Sequence, residues 1–317
     1  MIHEEDTRFS PPMVGSEKLA HNNEVELKVP QLYSEGGKGS APLSNPPSEL
    51  LNLHKPENDS EDYMTAEDIL ANTNQHKKIK HISEVLSSPE KEEAVFEKIH
   101  GPDDRVQVLQ TDFPPAMQTC YLQIISATGR VSYATGWMAG PRLCMTAGHV
   151  VYDNPFGWAQ YIRVIPGTIN GWTQPYGSEI ASQFVAPSQY VDNWNTNYDY
   201  GGIVLPTTQL SGRVGYLSYG TASHSQTVNN FSMTMGYPAD KPAGTLWSNG
   251  GHMLSPTSTH LKYYFDTYGG QSGSPVFFPG GFTNPKVVGI HTTGLTPNRG
   301  IRIKSSVFSQ INYWKTL

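Results

Sequence analysis

The chain has 317 residues, with 22 Lys and Arg against 28 Asp and Glu and a net charge of −6. Residues 1–98 hold 19 acidic and 10 basic side chains (−9), whereas residues 99–317 hold 9 and 12 (+3), the pattern of an acidic leader joined to a folded unit. No basic cluster exceeds Lys77, Lys78 and Lys80, and no apolar run could cross a bilayer, so neither nucleic acid nor membrane is an expected partner.

Residues 1–60 are polar, rich in Pro, Ser, Asn and Glu, and without periodicity, which predicts disorder. The first residues, MIHEEDTRFSPPM, lack the basic-then-apolar pattern of a signal peptide. Two helices are expected next, over 64–72 and 79–98, the second with Ile79, Ile82, Val85 and Leu86 along one face. From about residue 117 the texture changes to short β-branched and aromatic runs punctuated by Gly, Pro, Asn and Ser. Six such runs occupy 119–127, 131–140, 143–150, 161–169, 178–187 and 198–205. Six more occupy 227–238, 244–254, 260–268, 273–279, 286–294 and 298–304. Twelve runs in two halves suit an all-β fold of two antiparallel six-stranded β-barrels, since closure removes exposed edges. Barrel one is placed at about 117–206 and barrel two at about 212–304. A closing helix at about 305–315 carries Val307, Ile311 and Trp314 on one face. Cys120 and Cys144 could form one bridge or stay two buried thiols, and their spacing does not fit a zinc site.

Three motifs carry chemistry. In GGQSGSPVF (269–277) glycines flank Ser272, allowing a tight backbone whose amides could receive an oxyanion. Gly270 and Ser272 are the expected donors. The segment fails the G-x-S-x-G elbow at Ser274, and PVFFPGG cannot begin a helix. In MTAGHVVYD (145–153) His149 is expected at a strand end, where an imidazole can serve as a base near neutral pH. In NYDYGGIVL (197–205) Asp199 precedes an apolar strand and could fix the imidazole tautomer, with Asp192 as the fallback. The order His, Asp, Ser, split between the two halves, points to a catalytic triad.

These motifs, with VGIHTTG (288–294) and NRGIRI (298–303), resemble the trypsin-like serine proteases, and within them the glutamyl endopeptidase (V8 protease) family. The resemblance covers about 99–317 and implies a serine endopeptidase working through an acyl-enzyme on Ser272. It implies that His291 and Thr267 receive an acidic P1 side chain, giving preference for Glu or Asp. Asp266 stands six residues before Ser272, where trypsin holds the aspartate that selects Lys and Arg. Trypsin-like specificity through Asp266 is therefore the alternative, and a non-catalytic binding protein on the same fold is another. In trypsin an aspartate just before the nucleophile pairs with a new amino terminus; Gln271 stands there instead, so that switch is not expected. The resemblance further implies an acidic pro-region, residues 1–98, ending near Glu97, Lys98 or Ile99. It implies a secreted monomer acting on protein or peptide substrates. No cofactor is required, and calcium is possible but not indicated.

Overall fold

The computed structural model describes residues 98–154 and 156–317, together with the backbone of Leu32–Tyr33. The helices expected over 64–72 and 79–98 lie outside the described residues, Lys98 excepted. So does the stretch 1–60 apart from Leu32–Tyr33, which forms a short strand against Gln183–Pro187 rather than lacking structure.

Thr119–Ile125 is buried along its whole length, so it lies inside its sheet. It pairs antiparallel with Val131–Met138 on one side and Tyr161–Pro166 on the other. Val131–Met138 continues to Leu143–Thr146, and this to Gly201–Val204. The run expected as one strand over 178–187 changes partner at Ser182. Glu179–Ala181 pairs with Tyr161–Pro166 at one end of the sheet, and Gln183–Pro187 pairs with Gly201–Val204 at the other. One bent strand thus joins the two ends, and the expected six strands close.

The second sheet contains His260–Tyr263, Asn298–Arg302, Lys286–Thr293, Pro275–Phe278, Phe231–Gly236 and Trp247–His252, in that order. These are the six runs expected in the second half. Leu254 donates its N–H to Lys262 O at 2.8 Å, bringing the outer strands together. Val106–Gln107 extends the sheet beyond Trp247–His252, and Ser218–Tyr219 pairs parallel with Lys286–Thr293. The strand expected from 227 begins at Phe231. Ser223 and Gln226 form a reciprocal capping box that commits His224–Asn229 to a helix.

Leu122, Ile162, Phe184 and Ile203 fill the first barrel, and Leu261, Tyr263, Val276 and Val288 the second. A third cluster spans the junction, from Trp137 and Met145 to Tyr237, Ile290, Ile311 and Trp314. The helix Ser305–Trp314 buries Val307, Ile311 and Trp314 as the pattern required. Its Trp314 ring lies 5.6 Å from that of Tyr200, so the C-terminus packs back on barrel one. Cys120 and Cys144 are both buried and unbridged. Burial, with a contact to Cys144, pushes the Cys120 thiol well above its ordinary pKa.

Candidate active site

The register Gly201↔Thr146 sets two strand ends side by side. The chain reaches Gly201 through the turn Thr196–Tyr198 and Asp199, and leaves Thr146 through Ala147 into the helical turn Gly148–Val151. His149 therefore sits on a helical turn just past its strand, not on the strand end the sequence suggested. The turn aims both its backbone amide and its ring at one carboxylate. His149 N–H donates to Asp199 Oδ1 at 2.9 Å, and His149 Nδ1 lies 2.9 Å from Asp199 Oδ2 and 3.2 Å from Oδ1. Gly148 makes the approach possible, since a Cβ there would stand 3.0 Å from both Asp199 Oδ1 and the Tyr190 ring. Asp199 is 4% exposed, while the His149 side chain is 32% exposed. With Nδ1–H held by the carboxylate, the acceptor nitrogen of the neutral ring is Nε2. Asp192, the fallback, is exposed at the end of the helix Ser188–Val191 and is not the carboxylate on the ring.

Ser272 lies in a loop whose two glycines are sterically required. Gly270 has φ +97° and Gly273 φ +89°. A Cβ on Gly273 would meet Thr135 O at 2.1 Å, and one on Gly270 would meet Tyr237 O at 2.6 Å. Two loop amides are used internally, Gln271 N–H to Tyr268 O and Ser274 N–H to Gln271 O, and Gly273 N–H donates to His291 O on the strand Lys286–Thr293, all at 2.7–3.0 Å. The loop carbonyls are anchored by the other barrel. Thr135 N–H donates to Ser272 O at 3.0 Å, and Thr135 Oγ1 donates to Gly270 O at 2.8 Å. The same hydroxyl accepts Tyr237 N–H at 2.9 Å. Thr135 was not singled out in the sequence. Its role comes from strand register, and VSYATGWM carries no local sign of it.

His149, Gly270 and Ser272 line one cavity of about 220 Å³, with Ser132, Tyr133 and Asp153 on its barrel-one wall. Burial raises the Asp153 carboxyl above its usual pKa, while His149 and Arg130 pull it back.

His291 and Thr267, the specificity residues that the resemblance implies, are not among the residues lining that cavity. His291 is fully buried, and its N–H donates to Ser274 O at 2.9 Å while its carbonyl holds Gly273. Tyr263 OH sits 2.6 Å from His291 Nδ1, a partner the sequence did not reveal. If Tyr263 donates, the proton of the neutral ring lies on Nε2. Thr267 is fully buried, its N–H donating to Lys98 O at 3.3 Å, and its Oγ1 has no hydrogen-bond partner among the described residues. Asp266 faces elsewhere. Its Oδ1 accepts His100 N–H at 2.6 Å and its Oδ2 accepts Asp104 N–H at 3.2 Å, so the carboxylate binds the entering segment 98–104. Burial raises its pKa.

Comparison with known proteins agrees with this architecture. Over 237 residues the chain is 37% identical to a glutamyl endopeptidase of Bacillus licheniformis, covering 72% of each protein. It is also 37% identical over 218 residues to a Bacillus subtilis protein named extracellular metalloprotease, covering 68% of this chain and 69% of that one. A solved Glu endopeptidase structure, in complex with MPD, superposes with a TM-score of 0.63 at 26% identity, covering 69% of this chain and all of its own. The trypsin family model matches residues 115–315, and it is to the trypsin family that the chain belongs.

Proposed function

We propose that the protein is a serine endopeptidase that cleaves after Glu, with His149, Asp199 and Ser272 as its triad. The observation that carries this reading is the Asp199 carboxylate on His149 Nδ1, with Ser272 in the same cavity as that ring. In the first step Ser272 Oγ attacks the scissile carbonyl carbon as its proton passes to His149 Nε2. The Gly270 and Ser272 amides receive the oxyanion. As the tetrahedral adduct collapses, the C–N bond breaks and the amine leaves with the proton from His149. Water, deprotonated by the same nitrogen, then attacks the acyl carbon; as this second adduct collapses the ester C–O bond breaks, the acid product leaves and His149 returns the proton to Ser272 Oγ. Asp199 stabilises the imidazolium throughout. The reaction needs only side chains, backbone amides and water.

For the acyl-side pocket, His291 Nε2–H and Thr267 Oγ1 are the donors that would meet a substrate carboxylate, with Tyr263 setting the His291 tautomer. A buried glutamate that accepts two such hydrogen bonds offsets its own desolvation. Asp266 does not favour the Lys/Arg alternative, because both its oxygens accept backbone amides of the 98–104 segment.

The relatives' names differ on chemistry. Among the described residues no three His, Cys, Asp or Glu side chains group as metal ligands, and no step above runs through a metal. We assign residues 1–98 as a pro-region over a protease domain at 99–317, and place the mature enzyme outside the cell as a monomer acting on proteins and peptides. Cleavage after Glu97 would then be self-processing.

The test compares peptides with Glu, Gln or Lys at P1, for the full chain and for residues 99–317, with a fluorophosphonate label and a chelator as further arms. Expected are cleavage of the Glu peptide alone, labelling that disappears in Ser272→Ala, no effect of the chelator, and faster turnover by the shorter form. Labelling that survives Ser272→Ala would overturn the triad. Equal rates on Lys and Glu peptides would overturn the pocket, and equal rates for the two chain lengths would overturn the pro-region.

A further inference from the structure

Gln271 directly precedes Ser272 and has no solvent exposure. Its Oε1 accepts Tyr268 N–H at 3.0 Å, so its side chain ties the loop 268–271 back on itself. Arg105 reaches the same oxygen from a distant part of the chain, with Nη1 at 3.4 Å. The Arg105 side chain is 0% exposed. Its Nε and Nη2 each donate to Asp103 at 2.9 Å, its Nη1 donates to Asp240 at 3.0 Å, and Nη2 also contacts Asp240. Lys241 Nζ closes the group on Asp103 at 2.7 Å.

The backbone that carries Arg105 is fixed on both sides. Asp266 holds the His100 and Asp104 amides, Val106–Gln107 pairs with Trp247–His252, and Val108 N–H donates to Leu246 O at 2.8 Å. A cation taken wholly out of water is costly, and two carboxylates within one segment and one turn could have held it at the surface. Its burial brings a charge-assisted donor onto the one side chain that adjoins the nucleophile.

We propose that Arg105 is a positioning residue: through Gln271 it holds the Tyr268–Ser272 loop, and with it the Gly270 and Ser272 amides, in reactive geometry. Its reach to the loop is indirect, through Gln271 Oε1. The inference rests on the serine-peptidase reading above. In its terms the fastening of the loop belongs to the 98–108 segment and is already made before any new amino terminus is cut.

The experiment is a double-mutant cycle on the full chain using Arg105→Met and Gln271→Leu, with Arg105→Lys and Lys241→Ala beside it. Measured for each are kcat and KM on a Glu peptide, the phosphonate labelling rate of Ser272, and Tm. Both single variants should lose kcat and labelling rate together by roughly 10- to 100-fold, less than the loss of a whole oxyanion donor, with KM changed by no more than about twofold. The double variant should be no worse than either single one, because both cut the same link. Arg105→Lys should recover part of the rate. Lys241→Ala should lower Tm and leave kcat alone. Gln271→Leu keeps the Arg105–Asp103–Asp240 group intact, so it tests the link even where Arg105→Met folds poorly. Wild-type kcat in Gln271→Leu, or additive losses in the cycle, would overturn the proposal. Absence of labelling in the wild type would instead overturn the peptidase reading beneath it.

Discussion

At the scale of single residues, one carboxylate has two duties. Asp199 accepts both the ring and the backbone amide of His149, so it orients the imidazole and caps the turn that carries it. Asp199→Asn keeps the shape but offers an amide in place of one oxygen and favours the wrong tautomer; kcat should fall by about 10⁴ with KM little changed. In the wild type, kcat/KM should rise along a single acid limb as His149 loses its proton, because only the neutral ring takes one from the serine. A pH–rate profile measured for both proteins checks both statements. The structure brings His149, Asp199 and Ser272 together, and the motifs TAGH, NYDYGG and GGQSGSPV that carry them stand out in the sequence. Thr135 and Tyr263 do not. A threonine and a tyrosine in alternating strands look like any others until the register shows what they face.

At the scale of elements, residues 99–108 were read as the start of the protease domain, and in the structure the segment forms a strap across barrel two. Its anchor is electrostatic. Arg105, then Lys241, hold the Asp103 carboxyl well below its ordinary pKa, against the opposing pull of burial. A carboxyl whose folded pKa is depressed adds stability above its unfolded value of about 3.9 and loses it as pH falls toward the folded value. Asp103→Asn should therefore lower the urea midpoint at pH 7, and the two proteins should converge as the solution is taken down toward pH 2. A gap of constant size at both pH values would contradict this. Asp266 teaches the same lesson about elements. Its spacing from Ser272 suggested a specificity pocket, but its direction is set by the strap, and spacing along the chain carries no information about direction.

At the scale of the whole molecule, the twelve strands were legible because turn residues and β-branched runs alternate at regular intervals, and the bend at Ser182 lets six of them close. The last turn of the helix His224–Asn229, from residue 227, was read as the start of a strand, although its Ser-x-x-Gln cap is visible in the sequence. The C-terminal helix was read correctly, but its reach was not. Trp314 packs on Tyr200, the residue next to Asp199, and so ties the chain end to the first barrel. Trp314→Ala should cost about 3–5 kcal/mol by opening a cavity there, seen as a lower urea midpoint. Thr135 has a consequence at this scale too. Its strand belongs to one barrel and the carbonyls it grips belong to the other, so the reactive loop gauges how the halves are seated. A small slip between two intact barrels would silence the enzyme before either barrel melted, so on heating the activity is the most sensitive thermometer of that seam.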